Sequence, residues 1–254
     1  MKKLHITDDC ITKKPSLWEE DSPWKVSKII PLIDTFVREI DRDEINLLDV
    51  GGGAGLILNV ISAYIKDNHK IKVNKFALDL SPGALDIQKM RNPDLKRCLN
   101  EDISKTSLAD KEIDLTLMID VLEHVVNPTE ALKELRRISK FVIFKVPLDD
   151  NLYYNIMNFI TRGKVRQTSI ESSGHINIYR FSKLKQQIEK YTGVVLEYRF
   201  TDAFDYYLNS ELYHKNMGLR GKLMDYIALG LFKLSPRLCS LIFADFAMIL
   251  VKCY

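Results

Sequence analysis

Cysteine is scarce in this chain and carries no pattern. Cys10, Cys98, Cys239 and Cys253 show neither Cys-x-x-Cys spacing nor a neighbouring histidine cluster, which speaks against a zinc site and against a disulfide framework. No metal is expected, and reduced thiols in a cytoplasmic protein are the reading that follows. Long apolar runs are missing as well: no uncharged stretch approaches the roughly 20 residues a helix needs to span a bilayer. Nor is there a surplus of one charge. Lys and Arg number 37 against 34 Asp and Glu, for a net charge of +3, and the cations are scattered rather than massed, so no footprint for a nucleic-acid backbone is evident and no nucleic-acid partner is expected. The start, Met1-Lys2-Lys3-Leu4-His5, is basic but leads into Asp8 and Asp9 instead of an apolar segment, unlike a secretory signal. At 254 residues the chain fits one large α/β domain with additions.

What the chain does have is one glycine-rich turn in a telling place. In Asn46-Leu47-Leu48-Asp49-Val50-Gly51-Gly52-Gly53-Ala54-Gly55 an apolar strand runs into glycines at alternate positions, Gly51, Gly53 and Gly55. Helical periodicity then resumes through Leu56, Ile57, Val60, Ile61 and Tyr64. Glycine has no Cβ to hold a ligand off and accepts the positive φ of a tight strand-to-helix turn, and the helix that follows turns its first N–H groups toward the ligand. The turn is a cradle for a nucleotide-type cofactor. A dinucleotide site asks for a small third residue where Leu56 stands. Asp49, at the strand end, would repel a pyrophosphate but suits a cofactor carrying an ammonium and a sulfonium. A second apolar strand, Phe76-Ala77-Leu78, ends in Asp79 and Leu80, and an acid at that tip is placed to accept hydrogen bonds from a ribose diol. Asp102 and Ile103, in Asn100-Glu101-Asp102-Ile103, form a segment where an adenine amino group can be read. A fourth strand, Ile113 to Ile119, runs into Asp120-Val121-Leu122-Glu123-His124.

These four phrases, in this order and spacing, resemble the class I S-adenosylmethionine-dependent methyltransferases, in particular the broad small-molecule group whose fourth strand ends in a D-V-L-E-H-like phrase. The resemblance covers roughly Ile45 to Phe200. It implies S-adenosylmethionine as cofactor, with Asp49, Gly51, Gly53, Gly55, Asp79, Leu80, Asp102, Ile103 and Asp120 around it. It also implies a Rossmann-like, seven-stranded, mostly parallel sheet with helices on both faces and a reversed last strand, placed at Phe246 to Cys253. Nicotinamide binding is the competing cofactor reading, and Leu56 together with Asp49 argues against it.

The alternation of strands and helices supports a parallel sheet independently. Ser81-Pro82 and Asn127-Pro128 each offer an N-cap followed by proline at the first helical position. After the second of these, Ala131, Leu132, Leu135 and Ile138 recur at helical spacing. Residues 1–44 precede the first strand, with Trp18, Trp24 and a helical run from Val26 to Ile40. In related methyltransferases such a helix covers the cofactor pocket, so Trp24 and Lys25 belong either to that cover or to an anchor on the core. The methyltransferase domain proper is expected over 45–254, with insertions at 148–174 and 203–244. The first is aromatic and then basic. The second is expected to be a helical pair that Pro236 breaks.

Methyl transfer from a sulfonium is an in-line displacement with a neutral leaving group, so alignment can supply much of the rate and a general base is optional. Two histidines qualify for contact with the acceptor. His124 opens the loop after the fourth strand, and His175, in Ser172-Ser173-Gly174-His175, resembles the family's histidine phrase before a helix starting near Phe181. Each has a structural alternative, as a loop anchor or a tie of the lid. Enzymes that methylate nucleobase amino groups usually carry an Asn/Asp-Pro-Pro-aromatic phrase, which Asp120-Val121-Leu122-Glu123 is not. A small metabolite, a sugar or an isoprenoid-type acceptor remains. The function expected is methyl transfer to a small organic acceptor, against a non-catalytic cofactor-binding or interaction module of the same fold. For 212–244 the apolar residues among Lys215, Arg220, Lys222, Lys233 and Arg237 suit a lid or homodimer interface, or else a peripheral membrane contact.

Overall fold

Alternate residues of the central strands pack on opposite sides of one sheet. In β5 (Ser139–Pro147), Val142, Phe144 and Val146 join one core cluster, whereas Phe141 and Ile143 join the other. Strand β7 (Phe246–Cys253) divides in the same way, Ala247, Ile249 and Val251 against Met248 and Leu250. Such strands have no solvent face, so the sheet must be covered on both. The coordinates, a computed structural model, describe residues 19–214 and 218–254. Expectations that concern Met1 to His5, Cys10, Trp18 and Lys215 fall outside the described residues.

The seven strands lie in the order β3-β2-β1-β4-β5-β7-β6, with β1 at Glu44–Val50, β2 at Lys72–Leu78, β3 at Leu95–Leu99, β4 at Ile113–Ile119 and β6 at Gly193–Phe200. Strands β1 to β5 are parallel, and β7 runs antiparallel to both β5 and β6. The reversed last strand thus occupies the residues expected of it. One face is covered by helices α1 (Ser22–Arg38) and α2 (Leu56–His69), through Ile29, Ile33, Phe36, Leu58 and Ile61. Helices α4 (Pro128–Ile138) and α7 (Phe181–Tyr191) cover the other, through Leu132, Leu135, Leu184 and Ile188. Each large side chain so buried contributes roughly 1.5–3 kcal/mol. Because the order reverses between β1 and β4, a crevice opens beyond their C-terminal ends, where ligands bind in such sheets.

Local sequence sets most boundaries. Ser81 caps α3 (Pro82–Arg91) by accepting the Ala84 N–H at 3.2 Å. Asn127 stands at the equivalent point before α4 without a side-chain capping bond, so Pro128 alone carries the device there. The first insertion forms α5 (Leu152–Ile160) and α6 (Lys164–Ser173). The second is not a helical pair: it holds α8 (Ala203–Asn209), α9 (Glu211–His214), α10 (Leu219–Leu234) and α11 (Pro236–Ile242). Pro236 does break the run, but as the first residue of α11, with Ser235 accepting the Leu238 N–H. Proline is tolerated there because the first-turn N–H has no helical partner to lose.

Candidate active site

The glycine turn after β1 is held in the left-handed region at Gly51 (φ +63°), Gly53 (+55°) and Gly55 (+73°), angles that cost a side chain dearly. Space is short too. A Cβ on Gly51 would lie 2.7 Å from Val121 Cγ2, and one on Gly52 would lie 2.0 Å from Asp49 Oδ2. The Asp49 carboxylate is therefore tucked directly under the loop. It is 1 % exposed, and its Oδ2 has no hydrogen-bond partner among the described residues. Burial, and secondarily the charge of Asp79, push its pKa up to about 7.

Asp79, at the tip of β2, is also buried and accepts the Ser81 N–H at 2.9 Å. Its pKa is raised, burial outweighing the N–H groups of Ser81, Leu80 and Gly53 that favour the ionised form. Asn100 Nδ2 donates to the Asp79 carbonyl at 2.9 Å and ties the tips of β2 and β3 together. Leu80 beside them is 47 % exposed, whereas Ile103 is buried in the core. Asp102 is exposed and folds its own turn, accepting the Ser104 N–H at 2.8 Å.

Asp120 follows β4 with its backbone in the left-handed region at φ +56°, and its carboxylate is ion-paired with Lys145 and, at 3.0 Å, with Lys25. Burial alone would raise the Asp120 pKa, but the two lysines outweigh it and hold the carboxyl below its usual range. Lys145 is fully buried, with its Nζ 3.4 Å from the Phe246 ring centre. Trp24 stacks on Tyr206 at 4.7 Å and meets Phe246 edge-on at 6.0 Å. Glu19 pairs with Arg91, which also donates to the Ala54 carbonyl at 3.0 Å. Residues 19–25 are thereby strapped to the glycine turn and to the end of β4.

The two histidines, 51 residues apart in sequence, meet. Their ring centres are 5.1 Å apart, edge to face. His124 Nδ1 lies 3.0 Å from the Gly174 carbonyl, and His175 Nδ1 lies 2.8 Å from Asp149 Oδ2. A carbonyl and a carboxylate only accept, so each Nδ1 carries the proton and each Nε2 keeps its lone pair in the neutral ring. Gly174, at φ +73°, allows this approach: a Cβ there would sit 3.3 Å from His124 Nδ1. Burial lowers the His124 pKa and keeps the ring neutral. Beside them Glu123 is 1 % exposed, and its Oε2 lacks a partner among the described residues. Its backbone carbonyl takes the N–H groups of Ile176 and Asn177, each at 3.0 Å, which docks the second histidine loop on the first. Asp149 and His175 also line a cavity of about 520 Å³ walled by Tyr153, Phe204, Tyr207 and Phe243, with Arg220, Asp225 and Asp245 as further charged groups.

Residues 48–141 match a family model described as a methyltransferase domain. Over those residues the chain carries a methyltransferase domain, with S-adenosylmethionine as its cofactor. No curated protein matches it. Among solved structures, the fold is similar to geranyl diphosphate C-methyltransferase from Streptomyces coelicolor A3(2), crystallised with Mg2+, geranyl diphosphate and S-adenosyl-L-homocysteine, at 12 % identity and a TM-score of 0.57 over 94 % of this chain and 86 % of that one. It is similar also to the cyclopropane synthase MmaA2 from Mycobacterium tuberculosis, at 12 % identity and a TM-score of 0.57 over 88 % and 83 %. The cyclase SpnF, at 12 % identity and a TM-score of 0.55 over 88 % and 80 %, shares the fold as well, so the fold by itself does not name the acceptor.

The methyltransferase turn fits its cofactor on two counts. Asp49 is a buried carboxylate with no ion pair among the described residues, a counter-charge that a cationic cofactor supplies, and the glycines leave the backbone bare where a Cβ on Gly51 or Gly52 would intrude. Three site residues escaped the sequence reading. Lys145 had a signal, a lone cation in a strand otherwise apolar from Phe141 to Pro147. Glu123 was visible in its phrase but had no stated task. Asp149 had none beyond lying after β5, since its partner His175 arrives from a separate loop.

Proposed function

We propose that this domain methylates an oxygen of a small organic acceptor bound in the cavity beside His124 and His175. S-adenosylmethionine, when bound, supplies a methyl group on a cationic sulfur. Asp49 and the backbone of Gly51, Gly53 and Gly55 hold its charged end, and Asp79 accepts hydrogen bonds from its ribose. Leu80, Asp102 and Ile103 flank the adenine, and Asp120 shapes the crevice through its backbone and its two lysines. The observation that carries the reading is the Asp149–His175 contact at 2.8 Å: it fixes the tautomer and directs a basic Nε2 lone pair away from Asp149, in a wall of the cavity. Glu123, His124 and His175 meet the acceptor oxygen there and promote loss of its proton. Residues 1–44 serve as the cover of the cofactor, and the insertions at 148–174 and 203–244 form the lid of the acceptor site.

The test is an acceptor screen that reads S-adenosylhomocysteine release, followed by His175→Ala. Turnover is expected to fall by roughly 100- to 10,000-fold, with the dissociation constant for S-adenosylmethionine within about twofold of the parent. His124→Ala is the paired variant and lowers turnover less. Undiminished turnover in His175→Ala would remove it from the acceptor site. Cofactor binding with no turnover on any hydroxyl-bearing acceptor would favour the non-catalytic module.

A further inference from the structure

Glu123, His124 and His175 each offer one ligand atom, and the three atoms lie within 4.8 Å of one another. We propose that they bind a divalent transition-metal ion, with open coordination positions toward the acceptor cavity. The proposal rests on the reading of this corner as the acceptor site, and it departs from the expectation that the cysteine pattern alone suggested.

Each group is prepared for a cation in a way its other contacts do not explain. Glu123 is a carboxylate 1 % exposed with Oε2 unpartnered among the described residues, and leaving such an oxygen buried and unpaired is costly unless a counter-charge meets it. Both imidazoles have Nδ1 engaged, which leaves Nε2 as the atom for a metal. His175 is engaged through Asp149 and His124 through the Gly174 carbonyl, the two outer partners that metal-bound histidines characteristically use. Among the described residues, the nearby cations Lys145 and Lys25 are paired with Asp120.

Two imidazoles and one carboxylate suit Zn2+, Co2+, Mn2+ or Fe2+ better than Mg2+ or Ca2+, which prefer all-oxygen sets. With bonds of about 2.0–2.2 Å the donors must stand roughly 3–3.5 Å apart, so the triad closes by an ångström or so through side-chain torsions. Three protein ligands leave room for an acceptor oxygen, as in sites built for catalysis. An acceptor hydroxyl entering such a position loses its proton to solvent more readily, so neither imidazole has to store it.

The experiment uses the full chain freed of metal with chelator and titrated with Co2+, followed by visible absorption and by metal analysis after gel filtration. One Co2+ per chain with ligand-field bands, displaced by Zn2+, is expected. Glu123→Gln and His175→Ala should each weaken binding by about 100-fold or more, and Asp149→Asn by about 10- to 100-fold. S-adenosylmethionine binding is read on every variant to show that it is folded. No saturable Co2+ binding, or affinity unchanged in both triad variants, overturns the proposal and leaves Glu123 a buried neutral acid. The methyl-transfer reading stands or falls separately: Co2+ bound without turnover on any acceptor would sink that reading alone, and turnover by a chain that shows no saturable Co2+ binding would sink this one alone.

Discussion

A carboxylate that the fold keeps at a loss is the clearest mark of binding at the residue scale. Asp49 has its pKa raised from 3.8 to about 7 by burial, so between those values the folded chain holds a proton that the unfolded chain has released. Stability from this group is complete below about pH 4 and is lost as pH rises through 7. Over that span the loss is on the order of 4 kcal/mol. A cationic cofactor favours the ionised form, so binding releases a proton below pH 7 and affinity rises with pH until about 7, then levels. Asp49→Asn should therefore raise the melting temperature of the cofactor-free protein at pH 8, weaken S-adenosylmethionine binding by tenfold or more, and flatten its pH dependence. Calorimetry in two buffers of different ionisation enthalpy, with a thermal melt, checks all three. A variant less stable than the parent at pH 8 and still binding tightly would show that Asp49 is structural. Asp49 was legible in the sequence because one strand and one turn carry its whole environment. Asp149 was not, because its meaning comes from His175, 26 residues further on, and only the packed loops bring the two together.

At the scale of elements the same contrast holds. The regular strands and helices were readable, because the period of their apolar residues is a local property; β4 spans the residues expected of it. The segment 203–244 was misjudged as two helices because Leu, Ile and Phe recur there densely enough to hide the break before α10. The N-terminal strap was half visible. Lys25 and Trp24 stood out, but Lys25 is defined by Asp120 at 3.0 Å and Asp21 at 3.0 Å, contacts that join the start of α1 to the end of β4. Replacing it isolates the strap's contribution. Lys25→Met removes both contacts, but Asp120 keeps its Lys145 partner and Asp21 lies nearer solvent, so the cost is mainly that of the charged contact with Asp120, about 1.5–3 kcal/mol, or a fall of several degrees in melting temperature. If residues 19–25 cover the cofactor, dissociation of S-adenosylhomocysteine should also quicken severalfold in stopped-flow. A loss of stability with unchanged release would make the strap an anchor of α1 only.

For the whole molecule, topology was legible from the order of strands and helices plus the resemblance, whereas the outer surface was not, since burial depends on what else packs there. Helices α5, α10 and α11 pack together and leave Ile156, Phe159, Leu219, Leu223, Tyr226 and Leu241 exposed, Phe159 at 86 % and Leu219 at 85 %. Apolar surface gathered so densely is unusual for a monomer and marks an interaction face. Among the described residues no helix is long and apolar enough to cross a membrane, and the two occupants to be told apart are a second copy and a bilayer surface. Arg220, Asp225 and Met224 of α10 line the acceptor cavity, so whatever covers this face also bears on the mouth of the site. The acid among the cations and the role of α10 as a cavity wall favour a second copy over anionic headgroups, whose pull needs an unbroken basic face. Sedimentation equilibrium is expected to show a dimer that Phe159→Glu with Leu223→Glu converts to monomer, with S-adenosylmethionine binding retained. Flotation with anionic vesicles is the counter-test: salt-sensitive co-flotation of the parent chain, abolished by the same pair of substitutions in a protein that sediments as a monomer throughout, would assign the face to a membrane surface instead.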